Sequence, residues 1–288
     1  MGLFYRMLGR TTKEGVNEMT MQNVHFIGGG QMAEAIIRAV VRNKTIAAEH
    51  ISVSDINAER LLFLSDTYGI QTHEGQENAL AKADLIVIAV RPQDDLVGVG
   101  RLIQQYSSKE SAICSIVAGV TIHRLASFIG EERSIIRVIP NTLTDTGLGY
   151  SGAALNAYAS KNQVDGFLNG FGKVQYLNES LIDIFTGYGV AGPNYVYYFI
   201  ESLTDAGVLA GLPREQAWQV ALENVSGAVE MLRQSQLHPR QLLDINNSPG
   251  GVGIHALYEL NNSDFAAGLQ RSVQAAVKRT TELGAVHE

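Results

Sequence analysis

"FIGGGQMAEAI", Phe26 to Ile36, runs an apolar strand into three glycines and out again into a helical pattern. Gly28, Gly30 and Ala33 fit the G-x-G-x-x-G/A spacing. The first glycine closes a tight turn, the second lets backbone N–H groups approach a pyrophosphate, and the small third residue lets helix pack on strand. Such a match is weak alone, but here it follows a strand, opens a helix, and has Asp55 at the end of the next strand, about twenty residues on. The pattern therefore predicts a dinucleotide site rather than a structural turn. Asp55 has two readings: a carboxylate for the adenosine ribose hydroxyls, or the N-cap of a helix over "INAERL". The first disfavours a 2′-phosphate unless an arginine screens it. Arg60 is the nearest candidate and none stands beside the acid in "SDIN", which gives a slight lean to NADH over NADPH.

Outward from this loop, strand and helix signals alternate. "NVHFIGG", "ISVSD", "ADLIVIAV", "SAICSIVAG" and "SIIRVIPN" are expected strands; "QMAEAIIRAVVRN", "NAERLLFLSDTY", "DDLVGVGRLIQQY" and "TIHRLASFI" are expected helices. Continuous apolar strands in a β-α order predict a parallel sheet covered on both faces. From Glu179 onward the periodicity is helical, and the composition changes around "GKVQYLNES", so a domain boundary is expected near Leu177. Ligands of open α/β sheets bind at the carboxyl ends of strands, where "IAVRPQ" and "SIVAGV" leave the sheet. In the helical half, "NNSPGGVGIHAL" offers Ser248 as an N-cap, Pro249 as first helical residue, and Gly250 and Gly251 as uncovered backbone. Helix starts of that kind bind anions, although an ordinary capped helix would read the same way.

The 288 residues suit two domains, and the composition, 45% hydrophobic and 18% charged, is that of a globular protein. A net charge of −7 without a Lys/Arg run argues against a nucleic-acid partner. No apolar run is long enough to span a bilayer, so no membrane partner is expected. The single cysteine, Cys114, lies in an apolar run and reads as a small hydrophobe; one cysteine makes no internal disulfide, which fits a cytoplasmic location. Residues 1–20 lack a cleavable signal pattern. They are expected to be an extension, disordered or a start-site artefact, with Met19 or Met21 as alternative starts.

"FIGGGQMAEAI", "AVRP", "AGVT", "RVIPNT", "YVYYFIESLTDAG", "GLPREQA" and "SPGG" occur in this order, and together they resemble the pyrroline-5-carboxylate reductase family from Met21 to near the end. The resemblance implies an α/β fold: a Rossmann-type doubly wound parallel sheet over residues 21–177, then an all-α substrate-binding and dimerisation domain over 178–288. It implies NAD(P)H as reductant, a small cyclic imine carboxylate as substrate, L-proline as product, and a homodimer that assembles further, commonly into a decamer. Cofactor contacts are expected from Ile27, Gly28, Gly29, Gly30, Gln31 and Met32, and from Asp55 and Gln76. Ala89, Val90, Arg91 and Pro92 join them, with Ile116, Val117, Ala118 and Gly119. The substrate is expected on Ser248, Gly250, Gly251 and Gly253, with no metal.

Some positions depart from the family. Arg91 replaces a lysine, Leu143 stands after "PNT", and Gly189, Val190 and Ala191 replace a serine-containing segment. Gly253 stands where "SPGGTT" ends in a threonine whose hydroxyl is assigned to the ring nitrogen. Reduction of a different cyclic imine acid, or a cofactor-binding regulator without catalysis, therefore stay open beside pyrroline-5-carboxylate reduction. A β-hydroxyacid dehydrogenase is disfavoured because no lysine occurs from Leu181 to Val277 to serve as its catalytic base. His238, before a proline at a helix start, and His255, within a helix, show no metal-ligand spacing.

Overall fold

The computed structural model describes residues 23–73 and 75–285, so the expected extension over residues 1–20, and both alternative starts, lie outside the described residues. Eight strands form one sheet: β1 (Val24–Ile27), β2 (Ile51–Ser54), β3 (Gln71–His73), β4 (Leu85–Ile88), β5 (Ala112–Ser115), β6 (Ile135–Ile139), β7 (Gly149–Leu155) and β8 (Gly172–Tyr176). Their order is β3-β2-β1-β4-β5-β6-β7-β8. The order reverses between β1 and β4, which puts a crevice at their carboxyl ends.

The inner strands are mostly apolar because both faces are covered, and of the polar residues they hold, His25, Ser54, Ser115 and Arg137 are buried with them. Val24, Phe26, Val87 and Cys114 pack against Ile36, Ile37 and Val40 of α1 (Gln31–Arg42). On the opposite face Ile86, Ile88 and Ile113 meet α3 (Glu77–Lys82), α4 (Leu96–Tyr106) and α5 (Ile122–Ile129); α2 (Ala58–Tyr68) lies between β2 and β3. Side-chain caps fix the helix starts. Asn57, Asp95 and Thr121 each accept from the amide three residues on.

Three strands were not among those expected, and one pairing departs from the parallel rule: β7 runs antiparallel to β6. Its sequence, "GYSGAAL", has little β-propensity of its own. It is small because the helical arm packs on it, and a Cβ on Gly152 would come within 2.6 Å of the Phe185 ring. Helix α6 (Asp165–Asn169) then leads to β8, which pairs parallel at the edge.

The arm opens with α7 (Ile182–Phe185), a π-helical turn over Thr186–Val190, and α8 (Gly192–Leu209). It continues through α9 (Arg214–Ser235), α10 (Pro239–Asn246), α11 (Val252–Asn261) and α12 (Phe265–Ala285). Helix α12 returns to the π turn, where a Cβ on Gly187 would lie 2.5 Å from the Val277 backbone nitrogen. Arg137 of β6 ties the arm to the sheet through Asp183 at 2.9 Å and Glu179 at 3.3 Å. No helix among the described residues is long and apolar enough to cross a membrane.

Candidate active site

The glycine loop sits at the carboxyl end of β1. Gly28 has φ +99°, and a Cβ there would be 2.7 Å from the Ala89 carbonyl, so both conformation and space require glycine. Gly30 is different. It stands at the N-cap of α1 with no side-chain cap, is exposed, and a Cβ built on it meets nothing within 4 Å. Open space in front of uncapped first-turn amides, those of Gln31 and Met32 included, is the arrangement that takes a phosphate.

Gly29 is gripped from both sides. Its N–H donates to Asp55 Oδ2 at 2.7 Å, and its carbonyl accepts from Arg60 Nε at 2.6 Å. Asp55 Oδ1 accepts the Asn57 N–H at 2.9 Å. Asp55 is therefore not the cap of α2; Asn57 is, and it accepts the Arg60 amide at 3.1 Å. The carboxylate stands just after β2, beside the loop. The Arg60 guanidinium folds across the loop onto Glu34 and lies 5.1 Å from the Phe63 ring centre.

The other expected cofactor residues fall on the same edge. Ala89 follows β4 and donates to the Ile27 carbonyl at 2.8 Å; Ile116 follows β5 and donates to the Ile88 carbonyl at 3.0 Å. Gly119 has φ +75°. Ile27 and Val117 are buried in the core and can offer only backbone. Arg91 is held by its own loop, with Nη2 2.9 Å from Asp94 Oδ1, and that pairing lowers the Asp94 pKa. Gln76, just before α3, has a buried Oε1 without a hydrogen-bond partner, an acceptor of the kind an adenine amino group would satisfy. The open cradle at Gly30 and this orphaned acceptor fit a nicotinamide dinucleotide. Cys114 is no nucleophile: burial pushes its thiol up to about 12.

The "SPGG" segment joins α10 to α11, and its geometry corrects one expectation. Ser248 does not cap the helix and Pro249 is not its first residue. Gly251 N–H closes a turn on the Ser248 carbonyl at 3.0 Å, Gly250 takes φ +69°, and α11 starts at Val252 with Gly251 as N-cap. A left-handed residue cannot continue a right-handed helix, so the start moves beyond the glycines. The uncapped amides are those of Val252, Gly253 and Ile254. A Cβ on Gly253 would meet Asn247 Oδ1 and lie 3.2 Å from the Asn246 carbonyl. No hydrogen bond among the described residues joins this segment to the glycine loop.

Two polar groups escaped the sequence reading. Glu34, inside α1, accepts from Tyr68 at 2.8 Å and Arg38 at 3.2 Å besides Arg60. Its signal was visible, an acid on the helix face that otherwise buries Ile and Ala. Asn141, after β6, accepts the Leu143 and Tyr150 amides and donates to the Gly189 carbonyl at 3.4 Å, linking sheet edge to π turn. Its role depends on β7, which the sequence did not reveal.

A Rossmann-type sheet with a phosphate cradle, followed by an arm of long helices, defines a dinucleotide-dependent oxidoreductase of two-part build. The family model for pyrroline-5-carboxylate reductase dimerisation matches residues 179–283, and that for NADP oxidoreductase, coenzyme F420-dependent, matches residues 23–119. Pyrroline-5-carboxylate reductase of Synechocystis sp. is 34% identical over 264 residues, covering 90% of this chain and 97% of that one. The solved pyrroline carboxylate reductase of Plasmodium falciparum with NADP bound is 30% identical, with a TM-score of 0.80 over 91% of this chain and 98% of its own. That of Coxiella burnetii is 26% identical, with a TM-score of 0.84 over 92% and 99%. The chain belongs to the pyrroline-5-carboxylate reductase family.

Proposed function

We propose that this protein reduces 1-pyrroline-5-carboxylate to L-proline with NAD(P)H, as an oxidoreductase acting on a C=N bond. The observation that carries this is relatedness over almost the whole length, including both the cradle and the helical arm. The dinucleotide domain spans residues 21–177 and the substrate-binding and dimerisation domain 178–288.

The bound nicotinamide supplies a hydride to the imine carbon. Everything the chain does is positioning. The amides after Gly30 take the diphosphate, Asp55 takes the adenosine ribose hydroxyls, and the backbone from Ile116 to Gly119 borders the nicotinamide end. The substrate carboxylate rests on the amides of Val252 and Gly253 at the start of α11. No side chain is assigned as acid, because the substrate can arrive as the iminium with its own proton. Asp55 without an adjacent free cation favours NADH. The exposed arm interlocks two protomers into a dimer, which can assemble into a decamer, in the cytoplasm.

Gly253 supports a second reading, a different cyclic imine acid, since the hydroxyl that would meet the ring nitrogen is missing. Loss of NADH and NADPH absorbance with pyrroline-5-carboxylate tests the first reading. Turnover confined to a six-membered cyclic imine acid would select the second, and cofactor binding without turnover of either would leave a regulator.

A further inference from the structure

The charged cluster behind the glycine loop has no part in hydride transfer, yet it decides where the nearest guanidinium can go. Asp55 and Arg60 bind opposite sides of one residue, the N–H and the carbonyl of Gly29. A 2′-phosphate placed at Asp55 would meet like charge unless that guanidinium reached it. Arg60 is instead folded inward. Its Nε is held by Gly29, and its Nη2 pairs with Glu34 Oε2. Phe63 lies beside the guanidinium. Glu34 cannot follow an outward swing, because it is part of α1, its side chain is 9% exposed, and Tyr68 and Arg38 hold its other oxygen. Burial works to raise the Glu34 pKa, but the hydrogen bonds from Arg60 and Tyr68 outweigh it and hold the carboxyl below the usual range. It stays ionised at neutral pH. Swinging Arg60 out would leave a buried carboxylate short of a partner, which is costly.

We propose that Glu34 is a positioning residue for cofactor choice: by holding Arg60 against the loop it leaves Asp55 unscreened and disfavours the 2′-phosphate of NADPH. This rests on the dinucleotide reading of the loop and deepens it, since the residue that sets the preference lies one layer behind those that would touch the cofactor.

Calorimetric Kd values for NADH and NADPH, on wild type, Glu34→Gln, Arg60→Ala and the double variant, test it. In Glu34→Gln the NADPH-to-NADH affinity ratio should rise roughly five- to tenfold, the effect of one charge-assisted contact to phosphate. The rise should vanish in the double variant. Arg60→Ala alone should move the ratio by less than about twofold, even if both affinities fall as the loop loosens. A looser loop affects both cofactors alike, so a purely structural role would not move the ratio. An unchanged ratio in a cooperatively folded Glu34→Gln protein overturns the proposal. So does a tenfold loss of NADPH preference in Arg60→Ala alone, which would put Arg60 on the phosphate already; that arm decides should Glu34→Gln fail to fold. A wild type that binds neither dinucleotide would overturn the cofactor reading itself.

Discussion

Single positions in β1 and in the loop after it set two separate properties. Gly30 faces open space, so Gly30→Val should leave the unfolding free energy within about 1 kcal/mol of wild type while weakening binding of both NADH and NADPH by an order of magnitude or more. Unchanged calorimetric binding in that folded variant would move the diphosphate elsewhere. His25 lies buried in β1, with Nδ1 2.8 Å from Ser52 Oγ and Nε2 3.2 Å from Ser54 Oγ. Burial, and then the neighbouring His73, push its pKa down from 6.5 to about 4. The unfolded chain therefore takes up this proton first as pH falls. The stability contribution is complete above pH 6.5 and declines towards pH 4, by about 3 kcal/mol in all. Urea unfolding of wild type and His25→Gln across that range should show their difference shrinking on acidification; a difference independent of pH would mean that the ring is not kept neutral.

Elements of the arm depend on close backbone approach. The π turn over Thr186–Val190 lets Gly187 face α12, and any side chain there strikes the Val277 backbone. Gly187→Ala should therefore cost about 1 to 3 kcal/mol, the usual range for overpacking, read as a lower midpoint in chemical denaturation. A neutral result would show that α12 can slide. At α11, Gly253→Thr needs Asn247 to turn away from the Leu243 carbonyl it now donates to at 2.7 Å. Besides that side-chain rotation only the Asn246 carbonyl, 3.2 Å from the added Cβ, has to give slightly, so the variant should fold, and its hydroxyl should raise kcat with pyrroline-5-carboxylate by up to about tenfold. Loss of activity would instead indicate a bulkier or shifted ring. The sequence displayed the strands that carry β-branched residues and the loop whose glycines are spaced for phosphate. It concealed β7, because small residues chosen for the arm's approach look like turn residues, and it concealed β3 and β8, because these edge strands are exposed or half-buried and carry no continuous apolar run. It also misplaced the start of α11, since the left-handed state of Gly250 is set by a turn hydrogen bond rather than by residue type.

At the scale of the whole molecule, the contrast between the two halves matters most. The inner strands β1, β2, β4, β5 and β6 bury their apolar residues, whereas the arm leaves Tyr198 79%, Leu209 91% and Val252 90% exposed. Arg137 fastens only the first turns of the arm to the sheet, through Glu179 and Asp183, and α12 packs chiefly on the π turn and α7, with Phe265 beside Phe199 of α8. Helices α8 to α11 thus expose more apolar surface than a soluble monomer usually tolerates. A second protomer with the same arm would cover it in a self-complementary interface, and such interfaces resemble a core divided in two. Sedimentation equilibrium should find a dimer, or a multiple of one, at micromolar concentration. Tyr198→Asp would place a charge in that interface and should shift the protein towards monomer, with loss of reductase activity but retained dinucleotide binding, because the glycine loop and Asp55 lie in the sheet domain, away from the arm's exposed face. A wild-type monomer with full activity would refute the interlocked arm, and would require the α11 start to reach the cradle of its own protomer.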